Sequence, residues 1–324
     1  MSNSACTICG NADGNVVHQV KEMQLGFREV FDYLECGRCG CMRLMNIPPD
    51  LSKYYPNDNY YSFHLKLDVR KKADPLRKIK SSYLLYGQHP ILGKLLSIGY
   101  PIPDYYQWMK QTGVQYDDAI LDVGTGNGSL LLNLFKIGFT NLTGVDPFIA
   151  NEQQYGRIQI LRKDIYQIDK TYDLVMLHHA FEHMNEPLRV LKQLKAITRP
   201  GRFILIRIPL MQQYGWKKYG LNWVGLDAPR HIYIHTIESM RILAEQAGLE
   251  IHKISFDSGP YHLWASEQYK RDVALMEPQS YEVNKQTTLF TKADMQAYKA
   301  IAHETNQTGQ GDQAAFYLYN PSEP

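Results

Sequence analysis

"AILDVGTGNGSLLLNLFKIG", residues 119–138, decides how this chain is read. A short apolar run ends in an acid, Asp122. A turn of three alternating glycines follows, and then apolar residues at helical spacing. Glycines remove Cβ atoms and permit positive φ, so a ligand can come close to the backbone at this turn. The next apolar run, "NLTGVDP" (141–147), ends in a second acid, Asp146.

Strand, glycine turn, helix and a second strand ending in an acid are the parts of a nucleotide-binding βαβ unit. Asp146 is placed to accept hydrogen bonds from ribose hydroxyls. Two departures from the dinucleotide pattern select the nucleotide. The spacing is Gly124-x-Gly126-x-Gly128, and Asp122 puts a negative charge where a pyrophosphate would be repelled but an amino or sulfonium cation welcomed. S-adenosylmethionine carries both cations and no phosphate.

The alternation continues downstream. "IQILRKD" (158–164), "YDLVMLHH" (172–179), "RPGRFILIRIP" (199–209), "LEIHKISF" (249–256) and "DQAAFYLY" (312–319) read as strands, so seven are expected in one sheet. "NEPLRVLKQLKAI" reads as a helix capped by Asn185, and "TIESMRILAEQAG" as one opened by Thr236 and closed by Gly248. A helix is predicted near 292–305, inside an insertion at about 259–308.

At this point the chain resembles the class I S-adenosylmethionine-dependent methyltransferases. The resemblance is carried by "ILDVGTGNG", "GVDP", Asp164 in "LRKD", "HHAFEHMNEP" after the fourth strand, and "ITRPGRFILI". It implies an α/β fold, a Rossmann-like seven-stranded methyltransferase sheet, and transfer of a methyl group from S-adenosyl-L-methionine. It further implies that Gly124 and Gly126 face the methionine part, Asp146 the ribose, and Asp164 with Ile165 the adenine. Asp122, Thr125, Gly128, Pro147 and His178 complete the expected cofactor-binding set.

All five cysteines precede residue 42, at 6, 9, 36, 39 and 41. An odd count in two Cys-x-x-Cys pairs argues against a disulfide framework. Cys6, Cys9, Cys36 and Cys39 resemble a zinc ribbon or paired knuckles, with Gly10 and Gly40 following each pair. Four thiolates would close a tetrahedron, making any zinc structural. The alternatives are reduced cysteines without metal, or Cys41 in place of Cys39. Three segments are expected: a zinc-binding cysteine module (1–45), a Tyr-rich connector with helices (46–112), and a methyltransferase domain (113–324).

The proton acceptor of a methyl transfer should sit at the carboxyl ends of the strands. His178, His179, Glu182 and His183 emerge there after the fourth strand, and His231 and His235 follow the fifth. His179, Glu182 and His183 share one face of a helical turn. One of them could act as base, with His179 preferred as nearest the strand end. The alternatives are that they cap the turn, or bind a metal with His231. Arg230 and His231 are further candidate substrate contacts.

The composition, 44% hydrophobic and 21% charged with a net charge of +2, suits a soluble globular protein and gives no global case for nucleic acid or membrane. No apolar run is long enough to span a bilayer and no export signal is visible, so a cytoplasmic enzyme is expected. "YYPNDNYYSF" (54–63) looks like the connector of bacterial small-molecule methyltransferases, including sugar C-methyltransferases. The expected acceptor is therefore a small polar metabolite, with Tyr60 or Tyr61 closing over it. An RNA acceptor guided by the zinc module and a catalytically inactive S-adenosylmethionine-binding regulator are the alternatives.

Overall fold

A computed structural model describes residues 5–55, 75–99 and 101–322. Tyr60 and Tyr61 lie outside the described residues. Strands β4 (Ala119–Val123), β5 (Asn141–Val145), β6 (Gln153–Tyr155), β7 (Ile158–Leu161), β8 (Tyr172–His178), β9 (Thr198–Pro209), β11 (Glu250–Phe256) and β12 (Gln313–Asn320) form one sheet. Its order is β11-β12-β9-β8-β4-β5-β7-β6. The order reverses about β4: β5 and β7 lie to one side, β8 and β9 to the other, all parallel to it. This is the switch point at which open α/β sheets bind ligands.

The sheet has eight strands, not the seven expected. The additional one is β6, which turns back antiparallel onto β7 through Gly156, at φ 61°. "QQY" contains no apolar run, so periodicity could not reveal it. β12 runs antiparallel to both β9 and β11.

Helices cover both faces, which explains why β4 and β8 are apolar almost throughout. On one face α1 (Pro75–Tyr86), α3 (Asp104–Thr112) and α4 (Ser129–Ile137) pack through Leu85, Trp108, Met109, Leu131 and Leu134. On the other, α5 (Pro187–Ile197) and α7 (Ile237–Ala247) pack through Val190, Leu191, Leu194, Met240 and Leu243. α7 has the expected caps: the Thr236 hydroxyl accepts from Ser239 N, and Gly248 closes it in the left-handed region. α5 differs. Its cap residue is Glu186, at φ 53° with no side-chain cap, while Asn185 Oδ1 accepts from Glu186 N at 3.0 Å. The Asn185 side chain is satisfied one residue too early to cap, and Pro187 sets the first turn instead.

The N-terminal strands β1 (Val16–Lys21), β2 (Val30–Glu35) and β3 (Met42–Leu44) form a second sheet, completed by β10 (Tyr233–Ile234) from far along the chain. Cys6, Ile8, Cys36, Cys39 and Cys41 lie in the same apolar core as α5 and α7. α8 (Tyr261–Lys270) and α9 (Lys292–Gln307) flank this second sheet, with Leu263 and Ala302 in the core around Tyr33 and Trp223. Among the described residues no helix is long and apolar enough to cross a membrane.

Candidate functional site

The carboxyl edge of the large sheet collects the acids singled out in the sequence. Asp122 is buried on β4, and its Oδ2 accepts from the Thr125 hydroxyl at 2.8 Å. Asp146, just beyond β5, accepts from Gly126 N at 3.1 Å and Phe148 N at 2.8 Å. The second acid therefore holds the glycine turn in place. Gly124 is at φ 73°, and a Cβ there would lie 2.6 Å from Ala180 Cβ. Only glycine lets the β4 turn and the segment after β8 approach so closely.

Burial, reinforced by the Asp146 charge, pushes the Asp122 carboxyl up to about 7 against the pull of Thr125. Burial also raises Asp146, opposed by its two backbone N–H donors. A cation placed beside them would relieve both. Asp164 opens the short turn Ile165–Gln167 with a reciprocal cap: its side chain accepts from Tyr166 N, and its own N–H donates to Gln167 Oε1. Ile165 is buried, and Pro147, which follows Asp146, is exposed. Such an edge, with acids flanking a backbone stripped of Cβ atoms, suits a cationic nucleoside.

The histidines after β8 take separate paths. Among the described residues the buried ring nitrogens of His178 have no hydrogen-bond partner, and its ring packs on Trp108 at 4.4 Å. His179, at φ 53°, is half-exposed; its Nε2 accepts from Arg207 at 2.6 Å and its Nδ1 lies 3.4 Å from Glu182 Oε1. Glu182 is fully buried. Burial opposes its carboxylate form, but the His179 contact and the nearby His183 and His231 rings outweigh this and hold it at about 2. Burial pushes His183 down to about 4, so its ring is neutral at pH 7.

His231 reaches this cluster, with Nε2 3.9 Å from Glu182 Oε1. His235 does not. It stacks on Phe181 and lies 4.0 Å from Cys41 Sγ, inside the core. Arg230 is also buried, engaged by Asp227 and donating to Tyr54 O at 3.0 Å, so it braces the loop rather than facing an acceptor. The N-terminal sheet holds the same loop: Tyr33 Oη donates to His231 O at 2.8 Å and Leu44 N to Ile232 O at 2.9 Å.

Sequence reasoning missed Trp108, Tyr55 and Arg207. Tyr55 Oη lies 3.3 Å from His183 Nδ1. Arg207 pairs with Asp257 at 2.7 Å, touches His179 and lies over Trp108. Its signal was present: a lone cation within the buried run "FILIRIP" needs a partner.

The cysteines form two matching turns. Gly10 N donates to Cys6 O and Cys6 N to Asn11 O; Gly40 N donates to Cys36 O and Cys36 N to Cys41 O. Cys6 Sγ and Cys39 Sγ are 3.7 Å apart, Cys9 Sγ and Cys36 Sγ 3.4 Å, and all four lie within 4.8 Å of one another. A zinc with four bonds of about 2.3 Å needs sulfur separations of about 3.8 Å, so the donor set fits. The contact with Cys39 holds the Cys6 thiol down at about 4. Cys41 is buried outside the four, and burial pushes its thiol up.

A cavity of about 620 Å³ lies at the opposite edge of the large sheet, lined by Asp117, Asn141, Arg157 and Tyr172. Its lining includes neither Asp122, Asp146 and Asp164 nor the glycine turn.

Residues 103–254 match a family model described as a methyltransferase domain. The chain is 31% identical over 121 residues to EEF1A lysine methyltransferase 2 of Danio rerio, a match covering 31% of this chain and 52% of that one. It is 26% identical over 110 residues to the ubiquinone/menaquinone biosynthesis C-methyltransferase UbiE of Bdellovibrio bacteriovorus, covering 30% and 47%. Among solved structures it is similar to the cyclopropane synthase MmaA2 of Mycobacterium tuberculosis, with a TM-score of 0.42, 16% identity, and coverage of 65% and 80%. The chain spans about half the length, or less, of the curated relatives it matches.

Proposed function

With a methyltransferase domain across residues 103–254, of a family whose cofactor is S-adenosylmethionine, we propose that this chain transfers the sulfonium methyl group to a small polar metabolite. The observation that carries the reading is the pair of buried carboxylates, Asp122 and Asp146, around a glycine turn that a single Cβ would obstruct. Gly124, Gly126 and Gly128 with Thr125 bound the methionine part, and Asp122 faces its cations. Asp146 and Pro147 hold the ribose. Asp164 and Ile165 border the adenine, and His178 lies where the methionine part meets the acceptor side.

In the transfer an acceptor lone pair forms a bond to the methyl carbon while the carbon–sulfur bond breaks. Its electron pair stays on sulfur, leaving a neutral thioether. The acceptor's proton must go to a base, and His179, with Glu182 and His183 behind it, is the group we assign; its Nε2 takes the proton once Arg207 releases it. Much of the rate comes from alignment of the nucleophile with the methyl group.

The enclosed setting of Glu182 and His231, beneath the loop braced by the N-terminal sheet, supports a metabolite-sized acceptor, and a sugar or sugar nucleotide is the class we assign. One relative is an EEF1A lysine methyltransferase and another a ubiquinone/menaquinone biosynthesis C-methyltransferase, so they carry no single acceptor to this chain. The cysteine cluster holds a structural zinc that folds the module bracing the site.

Calorimetry tests the reading. S-adenosylhomocysteine should bind with micromolar affinity and NAD far more weakly. Asp146→Ala should weaken binding of S-adenosylhomocysteine by about 1–3 kcal/mol through lost hydrogen bonds. Tight NAD binding with no heat from S-adenosylhomocysteine would overturn it.

A further inference from the structure

Glu182 sits on the turn Phe181–His183 with no exposed surface, and neither carboxylate oxygen has a hydrogen-bond partner among the described residues. An anion so placed has given up water and received no donor in exchange, a costly arrangement unless a cation serves it. Its neighbours are prepared for one. His183 Nδ1 lies 2.9 Å from Arg230 O, and His231 Nδ1 lies 2.9 Å from Gly225 O. A carbonyl can only accept, so each Nδ1 carries a proton, and in the neutral tautomer this fixes, the lone pair is on Nε2. Histidines that ligate metals are held in this way, their second nitrogen donating to a carbonyl or carboxylate.

One ligand atom from each of Glu182, His183 and His231 lies within 4.8 Å of the others. Asp227 Oδ2 lies 3.6 Å from His231 Nε2, but Arg230 engages both Asp227 oxygens. His179 Nδ1 approaches Glu182 without completing a hydrogen bond, and its Nε2 is taken by Arg207. The cluster contains no sulfur, so it is chemically distinct from the four cysteines. Through Ala180 it adjoins Gly124, on the same edge as the glycine turn.

We propose that Glu182, His183 and His231 bind a divalent transition-metal cation, and that a hydroxyl oxygen of the acceptor completes its coordination. Two imidazoles and one carboxylate supply three ligands and leave positions open, as in sites where metals act on substrates. With bonds of about 2.0–2.2 Å the three donors close on the ion by roughly an ångström from their present spacing. The role of the cation in catalysis rests on the proposed methyl transfer; the binding site does not. Coordination acidifies the acceptor hydroxyl. The hydroxyl proton passes to a base, the oxygen pair bonds to the methyl carbon, and the carbon–sulfur pair stays on sulfur.

The test is a titration of the full chain, with its cysteine cluster zinc-loaded, by Mn²⁺ followed by electron paramagnetic resonance and water-proton relaxation. One saturable Mn²⁺ per chain with water in its coordination shell is expected, and Glu182→Gln and His231→Gln should each weaken it by more than about 100-fold. Near-ultraviolet circular dichroism and S-adenosylhomocysteine affinity establish that each variant is folded. If Glu182→Gln does not fold, the wild-type titration and His231→Gln decide. No saturable Mn²⁺ or Co²⁺ site in the wild type, or equal binding by both folded variants, overturns the proposal. S-adenosylhomocysteine binding without metal binding removes this site and leaves the transferase reading intact. Metal binding without S-adenosylhomocysteine binding supports the site and removes the transferase reading.

Discussion

The glycine-turn side of the cleft draws Asp122, Gly124, Gly126 and Asp146 from one contiguous βαβ stretch, and the stretch supplies its own restraints. Asp146 holds Gly126, and Thr125 holds Asp122. The histidine–glutamate side has no such self-sufficiency. Glu182 and His231 come from separate loops, joined by the bond from Ile232 N to Glu182 O, and the second loop is fastened to Tyr33 and Leu44 of the N-terminal sheet. One side is a local structure and the other a tertiary one. The two should therefore fail independently, and the acceptor side should depend on residues that never touch the acceptor.

The harshest challenge to that contrast is Cys36→Ser. Loss of one of four thiolates should release the proposed zinc and with it the fold of the small module, because binding energy at such sites is folding energy. Zinc content should fall to near zero and turnover to background, while S-adenosylhomocysteine affinity stays within about threefold of wild type. Elemental analysis with calorimetry checks both halves. Full zinc retention refutes the ligand set, and a parallel collapse of cofactor affinity refutes the independence.

His179→Ala probes the acceptor side alone. Turnover should drop by about 10²–10⁴-fold with cofactor affinity nearly unchanged, as for loss of a general base. Single-turnover rates with labelled S-adenosylmethionine measure this; a loss confined to cofactor affinity would assign His179 to the other side.

The cofactor side has its own signature in pH. Burial raises the Asp122 carboxyl to about 7, so near pH 6 most of it is protonated and near pH 8 most is ionised. Only the ionised form attracts a cation. S-adenosylmethionine affinity should therefore rise about tenfold from pH 6 to pH 8, and Asp122→Asn should flatten the profile. The same raised value means that Asp122 favours the folded state most at low pH, and that this contribution is lost as pH climbs through about 7.

The mildest change is Tyr33→Phe. It removes the donor to His231 O and leaves the ring in the core. Thermal unfolding should register about 0.5–1.5 kcal/mol. Turnover should fall a few-fold with no change in cofactor affinity; an unaltered rate would mean that the N-terminal sheet does not position His231.

The local features were legible in the sequence: the strand ends, the glycine turn, the paired Cys-x-x-Cys motifs and the Thr236 and Gly248 caps. Each rests on residues close in the chain, where spacing alone fixes which side chains meet. The β6 strand escaped because three polar-leaning residues carry no periodic signal. Asn185 fits the capping pattern, yet its backbone neighbour claims its oxygen.

Which histidine of "HIYIH" (231–235) joins Glu182 was settled only by the fold. Both have the same chemistry and are four residues apart. Antiparallel pairing of Tyr233 with Arg43 and Ile234 with Met42 orients the segment so that His231 faces Glu182 while His235 enters the core beside Phe181. That register joins segments nearly two hundred residues apart. Local periodicity holds no record of such a pairing, since it is selected by burial of Tyr33, Met42, Leu44 and Ile234 in one shared core. The sequence by itself determined the glycine-turn edge and the paired cysteines; long-range packing decided the histidine–glutamate side.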